Sequence, residues 1–228
     1  MPVFWLPENK IVFPDPMLAN NDGILAIGGD LSAERLLLAY QKGIFPWFNP
    51  EDPIVWWSPD PRFVLFPEDL KVSKSMRPYF NQPKYKLTLD TCFEDVMRAC
   101  QQAKRKGQGG DSWITESMLE GYTKLYHLGY AHSVEVWYED TLVGGLYGIA
   151  LGKCFFGESM FAHANNASKF GFISLVKRLQ KRGYQLIDCQ QRTEHLKRFG
   201  AQDIDRSRFI QLLDEYVHLP SEVGRWNV

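Results

Sequence analysis

The sequence predicts a mixed α/β fold, and three observations support this prediction. First, 45% of the 228 residues are hydrophobic, which is enough for a substantial core. Second, several segments place apolar residues at helical spacing and end in glycine. Third, from residue 131 to residue 161 apolar residues recur at every second position, as they do in β-strands. Helices before and after a strand region are typical of a mixed α/β domain.

Residues 1–62 are expected to form a small N-terminal domain. After a loop-like start, Ser32 is a suitable N-cap and Gly43 a suitable stop signal for one helix. Residues 43–62 follow and are rich in proline, which disfavours helices and central strands. We therefore predict a rigid, irregular loop there. Its aromatic residues include Trp47, Phe48, Trp56 and Trp57.

Residues 63–228 are expected to form the second, larger domain. The boundary rests on a short strand predicted at 62–67 and on a change of composition, because residues 71–89 contain five basic residues and no acidic one. Helices are predicted at 93–107, 115–129, 168–183, 193–200 and 207–217. A three-strand antiparallel meander is predicted at 132–140, 141–152 and 153–161, and a buried strand at 184–190.

Net charge and targeting signals restrict the class of protein. A formal net charge of -1 and a pI of about 6.5 argue against a protein that coats nucleic acid non-specifically. No apolar run reaches the ~18 residues that a membrane helix needs, and the first residues do not have the pattern of a signal peptide. The cysteines also lack CxxC spacing. We therefore expect a cytoplasmic protein that does not bind membranes.

Two basic segments have both a functional and a structural interpretation. Lys71, Lys74 and Arg77 precede aromatic residues, an arrangement that suits binding of an RNA backbone with base stacking. Residues 177–182, "KRLQKR", form the second basic segment. The alternative is that each segment is simply a solvated face of the protein.

Several familiar catalytic motifs are missing from the sequence. It has no GxxxxGK[ST] phosphate loop, no GxGxxG after a strand, no HExxH and no GxSxG elbow. The histidines do not have metal-type spacing, so we expect no metal site.

Three polar residues at predicted strand ends are candidates for a functional site. Glu158 lies at the end of the apolar strand "KCFFGESMF", and Asp188 and Gln190 share one face because they are two positions apart. In one interpretation Asp188 caps the next helix and Glu158 is solvated. In the other, the strand ends hold a carboxylate–amide pair that faces a cleft. The nearby apolar residues either line a pocket or belong to the core, namely Leu146, Met160, Phe161, Phe172, Leu175 and Ile187.

Several longer motifs occur in order along the chain. They are "DGILAIGGDLSAERLLLAYQKGIFPWF", "WWSPDPR", "GYAHSVEVW", "GGLYG", "GESMF", "NASK" and "LIDCQ". Together they resemble the leucyl/phenylalanyl-tRNA–protein transferases of bacteria, from about Gly23 to Ala201. This family often has an asparagine three residues after the glutamine of "DCQ", where this chain has Thr193.

The resemblance implies a small N-terminal domain followed by an acetyltransferase-like (GNAT-type) domain. It implies transfer of Leu or Phe, and less readily Met, from aminoacyl-tRNA to the N-terminal amine of proteins that begin with Arg or Lys. The product then carries a degradation signal. No cofactor is expected, because the tRNA ester already activates the acyl group. We also expect a monomer.

The resemblance also implies roles for individual residues. Asp188 and Gln190 correspond to the family's catalytic pair, and Glu158 to the acidic group near the reacting amines. Trp47 and Trp113 correspond to aromatic residues near the terminal adenosine of the tRNA, whereas Trp56 and Trp57 are assigned to domain packing. The side-chain pocket corresponds to Leu146, Met160, Phe161, Leu175 and Ile187.

Two other functions are weighed against this one. A GNAT-type enzyme that uses acyl-CoA needs a [QR]xxGx[GA] loop between a strand and a helix, and "RKGQGG" at 105–110 does not fit that register. The other alternative is a non-catalytic RNA- or protein-binding module, which would carry out no acyl transfer at all.

Overall fold

The computed structural model describes residues 3–82, 84–103 and 112–227. Its strands are β1 (Phe4–Leu6), β2 (Ile24–Gly28), β3 (Phe45–Pro46), β4 (Val55–Trp57), β5 (Arg62–Leu65), β6 (Lys86–Leu89), β7 (Ala131–Tyr138), β8 (Thr141–Leu151), β9 (Cys154–Ala162), β10 (Leu186–Asp188) and β11 (Gln202–Ile204). Its helices are α1 (Ala33–Gln41), α2 (Arg77–Asn81), α3 (Phe93–Gln102), α4 (Glu116–His127), α5 (Ala167–Lys181), α6 (Glu194–Lys197) and α7 (Arg206–Tyr216). The predicted mixed α/β fold is confirmed.

A seven-stranded sheet in the order β11-β5-β10-β9-β8-β7-β6 carries most of the chain. Strands β7, β8 and β9 form the predicted antiparallel meander. Helix α5 then crosses over, so that β10 pairs with β9 in parallel. On its other side β10 pairs with β5, which is antiparallel to it and also pairs with β11.

Four strands between Phe4 and Trp57 form a second sheet in the order β1-β2-β4-β3. The prediction of a loop-like start and an irregular tryptophan-rich loop was therefore partly wrong. The central strand β4 contains no proline, and Pro46 lies in the edge strand β3, where a missing N–H is tolerated. Trp56 is fully buried in this sheet, and its indole donates to the carbonyl oxygen of Gly28 at 2.8 Å.

The outer strands of the large sheet, β6 and β11, were not predicted. Each has a neighbour on one side only, and each remains partly exposed, so neither has a strong apolar signal. The predicted helix at 93–107 ends at Gln102 as α3, and its last predicted residues, from 104 onward, lie outside the described part of the chain. The predicted N-cap Ser32 accepts from the amide of Arg35, and Thr115 caps α4 in the same way by accepting from the amide of Met118.

Two core clusters cover opposite faces of the large sheet, because adjacent strand residues point to opposite sides. One cluster includes Tyr147 and Phe156 and joins the large sheet to the small sheet and to α1, α3 and α4. The other cluster includes Leu146 and Phe155 and lies under α5. The small sheet therefore shares a core with the large one.

Candidate active site

A cavity of about 390 Å³ opens where β8, β9 and β10 meet the small sheet. It is lined by Phe45, Pro46, Trp47, Trp113, Leu146, Tyr147, Phe155, Gly157, Glu158, Ser159, Met160, Phe172, Ile187, Asp188, Cys189, Gln190, Gln191, Thr193, His195 and Leu196. Its wall thus combines apolar side chains with Glu158 in the middle of β9 and with Asp188 and Gln190 at and just after the end of β10.

A β-bulge places Glu158 in this wall. Tyr147 pairs with Ser159 and Gly148 pairs with Gly157, so Glu158 is the extra residue between two registers. The bulge reverses the order in which the side chains of β9 point to the two faces of the sheet. Met160 therefore lines the cavity, although Phe156, four residues earlier, belongs to the core on the other face.

Glu158 is the centre of a hydrogen-bond cluster that joins three parts of the chain. Its carboxylate accepts from the hydroxyls of Tyr40 on α1 at 2.8 Å and Tyr122 on α4 at 3.0 Å. The two hydroxyl oxygens also lie in direct contact with each other. The side-chain amide of Gln190 donates to the same carboxylate at 2.7 Å. Burial raises the pKa of Glu158 to about 7 in spite of these three donors, so the group titrates near neutral pH.

Asp188 ends β10 as one half of a buried ion pair. Arg62 on β5 donates from Nε to Oδ1 at 2.8 Å and from Nη2 to Oδ2 at 2.6 Å, and both side chains are almost fully buried. The interpretation of Asp188 as a helix cap is wrong, because Thr193 caps α6 and accepts from the amide of Leu196.

Gln190 has a left-handed backbone, with φ of 60°, which is uncommon for a residue other than glycine. Its backbone N–H donates to Oδ1 of Asp188 at 2.9 Å, and its side-chain NH₂ donates to Glu158. Among the described residues none donates to the side-chain carbonyl oxygen of Gln190, which leaves this oxygen available as an acceptor in the cavity.

The tryptophans of the small sheet have distinct positions. Trp47 lines the cavity together with Trp113. The indole of Trp57 donates to the carbonyl oxygen of Trp47 at 2.6 Å, and the two ring centroids are 5.4 Å apart. Trp57 therefore holds the backbone at Trp47, a contact that the sequence does not reveal.

The cavity brings together most residues that the sequence singled out. Those that line it are Trp47, Trp113, Leu146, Glu158, Met160, Phe172, Ile187, Asp188 and Gln190. Phe161 and Leu175 are not in its lining, because Phe161 lies on the opposite face of β9 from Met160 and Leu175 is packed in the core under α5. The sequence analysis did not identify Arg62, Tyr40 and Tyr122 as part of the site. An arginine directly before the apolar residues of "RFVLF" is nevertheless a signal of a buried ion pair.

Comparisons with known proteins identify the family. The model of the leucyl/phenylalanyl-tRNA protein transferase family matches residues 64–214, and that of its N-terminal domain matches residues 29–60. The leucyl/phenylalanyl-tRNA–protein transferase from Anaeromyxobacter sp. (strain K) is 51% identical over 228 residues. The match covers 100% of this chain and 97% of that protein. The chain belongs to this family. Another such transferase, from Syntrophobacter fumaroxidans, is 52% identical over 95% of this chain and 92% of its own length.

The protein is therefore an aminoacyltransferase that acts from tRNA to protein. Similar solved structures include L-PGS from Bacillus licheniformis (TM-score 0.40, 12% identity, 72% of this chain and 50% of that chain). A GCN5-related N-acetyltransferase from Kribbella flavida has a TM-score of 0.37 at 11% identity, over 72% of this chain and 58% of that chain. With TM-scores this low, the two structures give no information about the active site.

The two basic segments of the transferase meet on one surface. Lys71, Lys74 and Arg77 are exposed at and just before the start of α2. The ring of Phe80 at the end of α2 stacks on Phe170 of α5, with centroids 4.9 Å apart, and Lys177 of α5 lies 4.3 Å above the same ring. We refer to Lys71, Lys74, Arg77 and Lys177 as the basic surface.

Two further properties concern the described part of the transferase. Residues 3–82, 84–103 and 112–227 contain no group of three or more His, Cys, Asp or Glu side chains that could hold a metal ion. Within the same ranges, every helix is too short or too polar to cross a membrane. The acyl-CoA loop candidate at 105–110 lies outside these ranges.

Proposed function

We propose that the enzyme transfers Leu or Phe, and less readily Met, from aminoacyl-tRNA to the N-terminal α-amine of proteins that begin with Arg or Lys. The product carries a degradation signal. The observation that supports this most directly is the position of the free carbonyl oxygen of Gln190 beside an apolar cavity wall. That wall includes Leu146, Met160, Phe172 and Ile187, which favours large apolar side chains such as those of Leu, Phe and Met.

The aromatic residues at the cavity suit the end of the tRNA. Trp47 and Trp113 offer ring faces on which the terminal adenine can stack, a contact worth about 1–3 kcal/mol per base. The hydrogen bond from Trp57 fixes the backbone at Trp47 before the tRNA binds. Little conformational freedom is therefore lost on binding.

The reaction is aminolysis of an ester. The α-amine attacks the ester carbonyl carbon, the bond from that carbon to the ribose oxygen breaks, and the proton lost by the amine is taken up by the leaving ribose oxygen. The amine must be neutral, and its ordinary pKa of about 7.7–8.0 makes this form accessible near pH 7. No cofactor enters this balance, because the ester already activates the acyl group.

Gln190 orients the nucleophile in this scheme. Its carbonyl oxygen accepts a hydrogen bond from the amine, because its NH₂ group is already engaged by Glu158. Asp188 orients Gln190 rather than accepting the proton, because Arg62 occupies its carboxylate. Holding amine and ester together contributes up to roughly 7–11 kcal/mol. Glu158 supplies negative charge near the basic acceptor once it ionises.

The basic surface would contact the tRNA backbone through Lys71, Lys74 and Arg77. Their exposure and the absence of acidic residues from 71–89 support this role. The aminoacyl-tRNA substrate supports a cytoplasmic location, and we propose that the enzyme acts there as a monomer. The division into residues 1–62 and 63–228 is supported by the two sheets.

The test is direct transfer of a labelled amino acid. The protein is incubated with [¹⁴C]Leu-tRNA and peptides that differ only in their first residue: Arg, Lys, Ala, or N-acetylated Arg. We expect label in the Arg and Lys peptides and almost none in the other two. Equal labelling of the Ala peptide would refute the acceptor preference, and no labelled peptide at all would refute the proposed transfer.

A further inference from the structure

We infer that Arg62 is a positioning residue for aminoacyl transfer, which acts through Asp188 to hold Gln190 in its working conformation. The inference rests on the proposed role of Gln190. It adds a residue of β5, outside the lining of the cavity, to the machinery of the reaction.

Arg62 is enclosed by two aromatic rings and by its ion-pair partner Asp188. Its guanidinium is fully buried, and it lies between the rings of Phe45 and Phe209, whose centroids are 4.7 and 4.6 Å from Cζ. In this position it binds both oxygens of Asp188 in a bidentate pair. Because a buried charge without its partner is very unfavourable, each member of the pair fixes the other in place.

Asp188 passes this constraint to Gln190. The Oδ1 atom that accepts from Arg62 also accepts the backbone N–H of Gln190 at 2.9 Å. That hydrogen bond offsets the cost of the left-handed backbone at Gln190, which is unfavourable for a residue with a Cβ atom. The amide of Cys189 donates to the carbonyl oxygen of Phe63 at 2.9 Å, so β5 holds this turn at a second point.

The arrangement predicts a specific kinetic defect when Arg62 is changed. The cavity wall and Glu158 remain, so the tRNA and the peptide still bind, but the carbonyl oxygen of Gln190 no longer keeps its direction. We expect Arg62→Gln to lower the single-turnover transfer rate at least ten-fold and to leave the KM for peptide within about three-fold.

A double-mutant cycle tests whether Arg62 acts through Asp188. We expect Arg62→Gln and Asp188→Asn each to lose at least ten-fold in rate, and the double variant to lose about as much as Asp188→Asn alone. If the losses multiply to about a hundred-fold or more, Arg62 acts independently of Asp188 and the inference is wrong. A rate for Arg62→Gln within two-fold of the wild type also overturns it.

Arg206→Gln is the matched control for the loss of a buried arginine. Arg206 is nearly as buried, but it donates to the carbonyl oxygen of Ser58 at 2.6 Å instead of to Asp188. We expect this variant to lose thermal stability and to keep the wild-type transfer rate per folded molecule. An equal loss of rate in Arg206→Gln would show that the defect of Arg62→Gln is a general effect of destabilisation.

Two additional variants keep the result interpretable. If Arg62→Gln does not fold, Arg62→Lys keeps the charge but loses the fork, and we expect a several-fold loss of rate with KM unchanged; a wild-type rate in Arg62→Lys would contradict the inference. Gln190→Ala separates the inference from the proposed function. Normal transfer by Gln190→Ala overturns the proposed role of Gln190, whereas a large loss there with multiplying losses in the cycle overturns only the role of Arg62.

Discussion

Glu158 shows how far the surroundings of one side chain change its chemistry. Its carboxylate lies in a β-bulge among two tyrosines and a glutamine, and burial raises its pKa from an ordinary 4.5 to about 7. The same cluster raises the pKa values of Tyr40 and Tyr122, through their own burial and the nearby negative charge. Proton uptake by this cluster is therefore coupled to folding.

The raised pKa of Glu158 gives a dependence of stability on pH with a definite sign. The folded protein binds this proton more tightly than the unfolded chain does. The contribution to stability is therefore complete below about pH 4.5 and is lost as the pH rises through about 7. Glu158→Gln, which cannot ionise, should not lose stability from this source. Urea unfolding of both proteins at pH 5, 6, 7 and 8 measures the difference, and parallel pH profiles would contradict the assignment.

Met160 and Phe161 are neighbours in sequence that differ in position, which makes them a test of substrate choice. Met160 lines the cavity and Phe161 does not. We expect Met160→Phe to narrow the pocket and to reduce kcat/KM for Phe-tRNA roughly ten-fold more than for Leu-tRNA, since one methylene in an apolar pocket is worth about 1–3 kcal/mol. Phe161→Leu is the control and should leave the ratio unchanged. Equal losses for the two tRNAs in Met160→Phe would remove Met160 from the specificity pocket.

Two glycines face each other across strands β8 and β9, Gly148 and Gly157, but they differ in how much space surrounds them. A Cβ atom added at Gly148 would lie 2.2 Å from the carbonyl oxygen of Phe156 and 2.5 Å from the ring of Phe155. At Gly157 the nearest atom would be the carbonyl oxygen of Asp188 at 3.6 Å, an ordinary contact. Only Gly148 is required by the packing of the two strands.

The matched alanine variants of these glycines should therefore differ in stability. We expect Gly148→Ala to lower the free energy of unfolding by about 1–3 kcal/mol or more, the usual cost of an overpacked core. Gly157→Ala should change it by less than about 1 kcal/mol in either direction. Chemical unfolding measures both. Similar values for the two variants would mean that the close approach of β8 to β9 is not what fixes Gly148.

The sequence predicted the helices and strands that carry a clear local pattern of apolar residues. It missed the elements that depend on a partner distant in sequence. The meander β7–β9 and helix α5 have their own periodicity and their own start and stop signals. Strands β6 and β11 lie at sheet edges and do not. The prediction that Glu158 and Gln190 lie close together was correct, but Glu158 lies in a bulge in the middle of β9 and not at a strand end. The role of Arg62 was not predicted, because its partner Asp188 is in a strand that is distant in sequence.

The transferase as a whole has almost no net charge, so its attraction for a polyanion must come from a local surface. The formal net charge is -1, whereas the basic surface collects cations from two separate segments. In the proposed function such a surface would give an electrostatic, salt-dependent contribution to tRNA binding, and the cavity would bind the amino acid and the terminal base.

Changing Lys71, Lys74 and Arg77 together to glutamine should weaken binding of aminoacyl-tRNA. The slope of log K against log salt should become shallower by roughly 0.7–0.9 for each phosphate contact that is lost. The control is a triple glutamine variant of Lys42, Lys124 and Arg208, which lie on or next to α1, α4 and α7. A slope that changes equally in both variants, or in neither, would make the basic surface an ordinary solvated face.

The order of strands in the large sheet also determines when the enzyme is complete during its synthesis. Strand β5 lies between β10 and β11, which are made much later. At about 5–20 residues per second, the ribosome needs on the order of ten seconds to make the chain between Leu65 and Leu186. Throughout that time the apolar strand β5 has neither neighbour. A chain that terminates early, before β10, therefore has no site and exposes a strand that pairs readily with other unfinished chains.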